Sequence, residues 1–292
     1  MDGILNIAKP SGTTSFSVVS CVKRLSGDRR VGHGGTLDPL ASGVLPVFLG
    51  QATRVVEYLM EYSKTYRAEI TLGVTTASYD AEGEVLSRCD ASYVTLAQIE
   101  SLLPRFIGDI MQKPPVFSAL KRGGRPLYEL ARKGAAIEIE ARQVTIYRLD
   151  VVCFAFPRLI LDVECSKGTY IRSLAHDFGE VLGCGAHLSG LVRTAYGPFD
   201  IKNAVTLEKL EESTADGTIP ELLQPLDAVL TLWDRVSLTA SQVEGVRCGV
   251  WLPLEGCGDK MRLLGYDDSG KLVTLLTLDA EKNLWRPGKV FC

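Results

Sequence analysis

The chain gathers glycines around one acid. In Gly32-His33-Gly34-Gly35-Thr36-Leu37-Asp38-Pro39-Leu40-Ala41-Ser42-Gly43, Asp38 is the single carboxylate. Glycines permit positive φ or close backbone approach, and Pro39 fixes the chain just after the acid. The chemistry on offer is a rigidly held, ionised carboxylate. Taken alone, the loop reads as a structural turn in which an Asx side chain bonds its own backbone. Two further segments add groups of complementary type. Lys64-Thr65-Tyr66 opens a strand with a phenol able to stack on a base or exchange a proton. In isolation Tyr66 reads as a half-buried strand aromatic. Ser166-Lys167-Gly168-Thr169-Tyr170-Ile171-Arg172 reads as a helix start, with Thr169 as N-cap and Arg172 in the first turn. A helix macrodipole disfavours a cation there, so an acidic partner is expected; the plain alternative is an exposed arginine.

The elements that must position these groups alternate without a regular βαβ rhythm. Ile4 to Ala8 reads as a strand and Ser15 to Leu25 as a helix with Phe16, Val19, Val22 and Leu25 on one face. Val44 to Leu49 reads as a buried strand and Thr53 to Tyr62 as a helix. Lys64 to Leu72 alternates, with Tyr66, Ala68, Ile70 and Leu72 on one side. Glu84 to Ser87 reads as a short strand and Ala97 to Phe106 as a helix. Val144 to Phe154 and Leu159 to Cys165 read as strands paired around Pro157. Ile171, Leu174, Ala175, Phe178 and Val181 form a helical stripe, and His187 to Phe199 a strand entering a Gly-Pro turn. The pattern predicts an α+β fold on a mixed, mostly antiparallel sheet with flanking helices, not a Rossmann fold. An acidic, turn-rich stretch from Leu207 to Asp234 marks a boundary. Beyond it, Met261 to Leu264, Lys271 to Leu278 and Lys289 to Phe291 read as strands of a small β-rich unit.

Composition narrows the function. With 292 residues and 46% hydrophobic content, the chain can bury a real core and hold two domains. Its 8 cysteines form no CxxC pair and no metal-ligand spacing with histidine, so they read as reduced and mostly packed, and no metal is expected. No apolar run approaches the roughly 18 residues of a membrane span, and the start is no signal peptide. A cytoplasmic protein is expected. The net charge of -3 hides local basic clusters. Lys121, Arg122, Arg125, Arg132 and Lys133 face only Glu129 in their segment, and Lys23, Arg24, Arg29 and Arg30 face only Asp28. Each alone reads as a solvated face; two flanking a candidate site suggest a polyanion partner.

Five blocks resemble, in order, the bacterial tRNA pseudouridine-55 synthase family of TruB type. They are GHGGTLDPLASGVLP (32–46), KTY (64–66), KPPVFSALKRGGRPLYELARKG (113–134), CSKGTYIRSL (165–174) and HLSGLVRTAYGPF (187–199), preceded by LNIAKPSGTTSF (5–16). The resemblance covers roughly the first 200 residues. It implies a catalytic domain on a central, largely antiparallel sheet over 1–230, and a PUA-like RNA-binding domain over 235–292. It implies Asp38 as nucleophile, Tyr66 as the active-site tyrosine and Arg172 as the arginine paired with the aspartate. His33 matches the histidine associated with the flipped base, and Tyr170 and Leu191 match positions lining the uridine pocket. Residues 121 to 134, with Lys121, Arg122 and Arg125, match an RNA-gripping insertion within 113–134. Lys9, beside Pro10, either braces the loop or contacts phosphate. Ser78-Tyr79-Asp80-Ala81-Glu82-Gly83 departs from the family's Thr-x-Asp-x-x-Gly pattern only by Ser for Thr.

Pseudouridine formation breaks the bond from base nitrogen to ribose, turns the uracil and bonds its carbon 5 to the sugar. Nothing is oxidised and no group is imported, so no cofactor is expected. Asp38, kept ionised by Arg172, can act as nucleophile on the anomeric carbon, attack the uracil ring or assist a glycal-type elimination. Tyr66 can stack on the base and is a candidate for removing the carbon 5 proton. The nucleotide must first be extruded, at a cost of about a few kcal/mol, and His33 can fill the gap. The implied partner is the tRNA T-arm, met by a monomer without an obligatory protein partner. Competing readings are a synthase subunit of the RNA-guided H/ACA type and an RNA-binding or RNA-folding module in which catalysis is secondary.

Overall fold

A computed structural model describes residues 1–117, 121–122, 125–126, 139–254 and 260–291, the four residues 121, 122, 125 and 126 by their backbone alone. The strands are β1 (Gly3–Lys9), β2 (Val31–His33), β3 (Ser42–Leu49), β4 (Lys64–Leu72), β5 (Val74–Thr76), β6 (Val85–Arg88), β7 (Gly108–Gln112), β8 (Lys121–Arg122), β9 (Arg125–Pro126), β10 (Arg142–Ala155), β11 (Arg158–Cys165), β12 (Ala186–Tyr196), β13 (Phe199–Asp200), β14 (Asp234–Ser237), β15 (Arg262–Tyr266), β16 (Leu272–Asp279) and β17 (Leu284–Val290). The central sheet runs β1-β3-β12-β4-β11-β10-β7, with β2 on β3 and β13 on β12. Its one parallel junction joins β12 to β3, so the sheet is mixed and largely antiparallel. Two hairpins, β5-β6 and β8-β9, lie outside it.

The period of two explains how this sheet is covered. Along β4, Tyr66, Ala68, Ile70 and Leu72 are buried on one face, where helices α3 (Leu96–Leu102) and α4 (Ile171–Leu182) pack through Ile99, Ile171, Leu174 and Phe178. At the β1-β3 end both faces are buried, and the strands read as continuous apolar runs. Leu45, Val47 and Leu49 face α1 (Ser15–Ser26), while Val44 and Phe48 face a cluster shared with the C-terminal unit.

That unit has the order β14-β15-β16-β17, with its own core of Leu238, Val246, Leu263, Leu276 and Trp285. Its other face, carrying Leu264, Tyr266, Leu272 and Leu275, joins Phe48, Val55 and Leu59 in one apolar cluster with Phe291. Tyr58 packs edge-on against Trp233 at 5.2 Å, and Arg54 donates to the Val290 carbonyl at 2.7 Å.

Several expected details change. Phe16 is 75% exposed, and α1 buries Ser15, Val18, Val19 and Val22 instead. The helix expected over Thr53 to Tyr62 is a 3-10 turn, Gly50–Val55, followed by the single α-turn α2 (Val56–Leu59). The acidic stretch after Leu207 is built of α5 (Leu207–Ala215), α6 (Ile219–Leu222) and a 3-10 turn. Helix α7 (Ala240–Arg247) has a capping box of Thr239 and Gln242, a signal that was visible as Thr-x-x-Gln before an apolar spacing. Among the described residues no helix is long and apolar enough to cross a membrane.

Candidate active site

The Asp38 loop joins β2 to β3 and is clamped by the β1-α1 connection. Ser15 Oγ accepts the Leu37 amide at 2.9 Å, Ser11 Oγ donates to the Leu40 carbonyl at 2.9 Å, and the Gly12 amide donates to the Pro39 carbonyl at 2.8 Å. The Lys9 ammonium is buried and donates to the carbonyls of Pro10 at 3.0 Å, Thr13 at 2.7 Å and Pro39 at 3.5 Å. Its donors are spent on backbone, the arrangement of a loop brace and not of a phosphate contact. At the far end of the loop, Gly43 has φ +103°, and a Cβ there would lie 2.2 Å from the Arg193 carbonyl. Only glycine lets β3 meet β12 at this point.

Asp38 projects from this frame into a cavity of about 350 Å³ lined also by Thr36, Tyr66, Tyr170, Ile171, Arg172 and Leu191. Arg172, in the first turn of α4, places Nε 3.0 Å from Asp38 Oδ2. The acidic partner expected for that arginine is thus present, and a second accompanies it: Nη1 lies 3.3 Å from Asp80 Oδ2. Nη2 donates to the Phe117 carbonyl at 3.0 Å. Asp80 is held by the Ser78 hydroxyl at 2.5 Å and the Glu82 amide at 3.1 Å, in a turn where Gly83 has no room for a Cβ beside Ser78. Burial is the largest influence on Asp38 and pushes its carboxyl above the usual range. Arg172 pulls it back and Asp80 pushes it up. Pairing with Arg172 therefore does not dominate as the sequence suggests, because burial outweighs it and Asp80 adds a smaller push in the same direction.

The helix start also differs from expectation. Tyr170, not Thr169, is the N-cap residue, and no side chain of its own caps the helix. Gln112 on β7 instead pins the N-cap residue itself: its Oε1 accepts the Tyr170 amide at 2.7 Å and its Nε2 donates to the Tyr170 carbonyl at 3.0 Å. The Thr169 hydroxyl donates to the Ser166 carbonyl at 3.0 Å.

Tyr66 is buried on β4, and burial pushes its phenol above the ordinary value against the opposing pull of Arg193. His33 ends β2 outside the cavity wall, where its Nδ1 accepts the Gly35 amide at 3.2 Å. Burial, then Arg193, lowers its pKa. Lys121, Arg122 and Arg125 fall on β8 and β9, and their side chains, like Arg132 and Lys133, lie outside the described residues. The cavity thus brings together Asp38, Tyr66, Tyr170, Arg172 and Leu191. Sequence reasoning missed Asp80 as a partner of Arg172, and also Lys64, Arg193 and Gln112. Asp80 had a signal in its Ser-x-Asp-x-x-Gly turn, and Lys64 and Arg193 lay inside family-like blocks without being singled out.

Residues 23–171 match the family described as TruB family pseudouridylate synthase (N terminal domain), and residues 172–231 match the tRNA pseudouridylate synthase B C-terminal domain. A Dehalococcoides mccartyi (strain CBDB1) protein named tRNA pseudouridine synthase B is 45% identical over 291 residues, spanning 100% of this chain and 97% of that protein. One of the same name from Stutzerimonas stutzeri (strain A1501) is 48% identical over 82% of this chain and 79% of its own length. Among solved structures, an H/ACA RNP bound to a substrate RNA containing 2'-deoxyuridine aligns with TM-score 0.76 at 28% identity, covering 99% of this chain and 85% of that one. A Cbf5-Nop10-Gar1 complex aligns with TM-score 0.75 at 30% identity, with the same coverage of 99% and 85%.

Proposed function

The chain belongs to the TruB family of pseudouridylate synthases, and from that premise we propose that it converts the T-loop uridine of tRNA at position 55 to pseudouridine with Asp38 as nucleophile. The observation that carries this reading is Asp38 Oδ2 held 3.0 Å from Arg172 Nε in a cavity walled by Tyr66, Tyr170 and Leu191. A carboxylate fixed by a guanidinium, with aromatic and apolar walls, suits a flat, uncharged base whose glycosidic bond must break. The upward shift keeps Tyr66 a neutral phenol, which suits stacking on the uracil better than accepting the carbon 5 proton. His33, which is not among the residues lining the cavity, fills the gap in the RNA in this reading and does not touch the extruded base. The identity with proteins named tRNA pseudouridine synthase B exceeds that with the H/ACA RNP and Cbf5-Nop10-Gar1 chains, which supports action without guide RNA. Residues 1–230 act as catalytic domain, with Lys121, Arg122 and Arg125 gripping RNA, and 235–292 as a PUA-like RNA-binding unit.

Tritium release from transcript tRNA labelled at uracil carbon 5 tests the reading. Wild type releases tritium; Asp38→Asn slows release by at least about 10⁴-fold, the scale of losing a nucleophile. No release by wild type sinks the synthase reading, and equal release by the variant removes Asp38 from its role.

A further inference from the structure

The cavity's two charged walls are unequal. On one, Asp38 is paired with Arg172, whose guanidinium also meets Asp80. On the other stand two cations, Lys64 and Arg193. Arg193 is 1% exposed and spends its donors on the Val44 carbonyl at 2.7 Å and the Gly35 carbonyl at 3.3 Å. Lys64 is half-buried, and its ammonium lies 4.4 Å over the Tyr196 ring. Among the described residues it has no carboxylate within ion-pair distance and no hydrogen-bond acceptor.

Across the cavity, Asp38 is engaged by Arg172, and the groups beside Lys64 supply no anion. Across the sheet it pairs with Cys165 on β11 and Tyr196 on β12. Burial pushes that thiol up to about 11 and that phenol up to about 12, so both are neutral. Burial lowers Lys64 to about 8, helped by two neighbouring cations, Arg193 from β12 and then Lys167 from the loop after β11. A partly desolvated ammonium with its donors unspent, in a concave site, calls for an anion from outside. An extruded nucleotide brings a phosphodiester on each side of its ribose.

We propose that Lys64 binds a non-bridging oxygen of a phosphodiester adjoining the extruded uridine, so that the sugar is held toward Asp38. This assignment rests on the RNA reading above. Binding is measured by fluorescence anisotropy with a synthetic T-arm stem-loop, using full-length protein carrying Asp38→Asn to prevent turnover. Adding Lys64→Met weakens binding about tenfold, the scale of a charged hydrogen bond, and reduces the salt slope by about one. A neutral methylphosphonate at one of the two linkages flanking the uridine reproduces that loss in the Lys64 protein. In the Lys64→Met protein the same linkage has no further effect.

Protonation gives a second readout. The Lys64 protein loses affinity as pH rises past about 8, because phosphate favours the protonated amine, whereas Lys64→Arg retains affinity and stays flat. An affinity unmoved by Lys64→Met overturns the assignment, as do losses that add for both linkages. Tritium release by wild type runs alongside. Its absence brings down the RNA reading itself; its presence with unmoved Lys64→Met affinity brings down only the role of Lys64.

Discussion

Around Asp38, position is set by polar contacts: carbonyls around Lys9, two carboxylates on Arg172, and the Gln112 amide on Tyr170. Beneath the C-terminal sheet, position is set by apolar contact, with Phe48, Val55 and Leu59 against Leu264, Leu275 and Phe291. Polar contacts fix where an atom sits and its charge state. Apolar contacts supply stability with looser demands on identity. The two regions should therefore fail differently when altered.

Arg172→Met is the largest test. It leaves Asp38 and Asp80 without their shared cation, so the folded state loses about 3–5 kcal/mol in urea unfolding and tritium release collapses. Wild-type behaviour in both would show that the charge network positions nothing. Leu264→Ala, at the seam, lowers stability by about 2–5 kcal/mol, while folded protein keeps its single-turnover rate. Its unfolding stays a single transition because the cluster spans both units; two separated transitions would show the sheets folding apart.

Asp80→Asn sharpens the comparison through charge alone. An acting nucleophile is lost as pH falls through its pKa, and Asp80 is one cause holding the Asp38 pKa up. Its neutralisation moves the acid limb of the single-turnover profile to lower pH; a limb that stays put or moves upward contradicts the geometry. The smallest effect belongs to Arg67→Ala. Its bridge to Asp162, at 2.8 Å, is exposed on the sheet face and contributes only ~0–1 kcal/mol by double-mutant cycle.

The same contrast governs what was legible in sequence. The β4 alternation and the Asp38 loop could be read because period and glycine placement are local properties; the pairing of Asp38 with Arg172, distant in the chain, came from the family resemblance and not from any local pattern. Asp80 escaped because its link to Arg172 closes over 92 residues. Phe16 was misplaced because helical spacing alone does not choose between adjacent faces, and the sheet selected the one bearing Val18. Thr169 lost the N-cap position to Tyr170, which is pinned by Gln112, a residue 58 positions away that no local pattern connects to it. The shared core at the seam left no motif, since any apolar residue of suitable size can contribute.

The close passage of β3 against β12 at Gly43 also sets an order of events in time. Arg193, which ties down the Val44 and Gly35 carbonyls, lies 149 residues beyond Val44. On a ribosome adding about 5–20 residues per second, the Asp38 loop waits roughly 7–30 s for the strand that completes it. Asp38 is thus translated early and fixed late, and a nascent chain that stops short of β12 carries it in a loop that its strand partner does not yet hold.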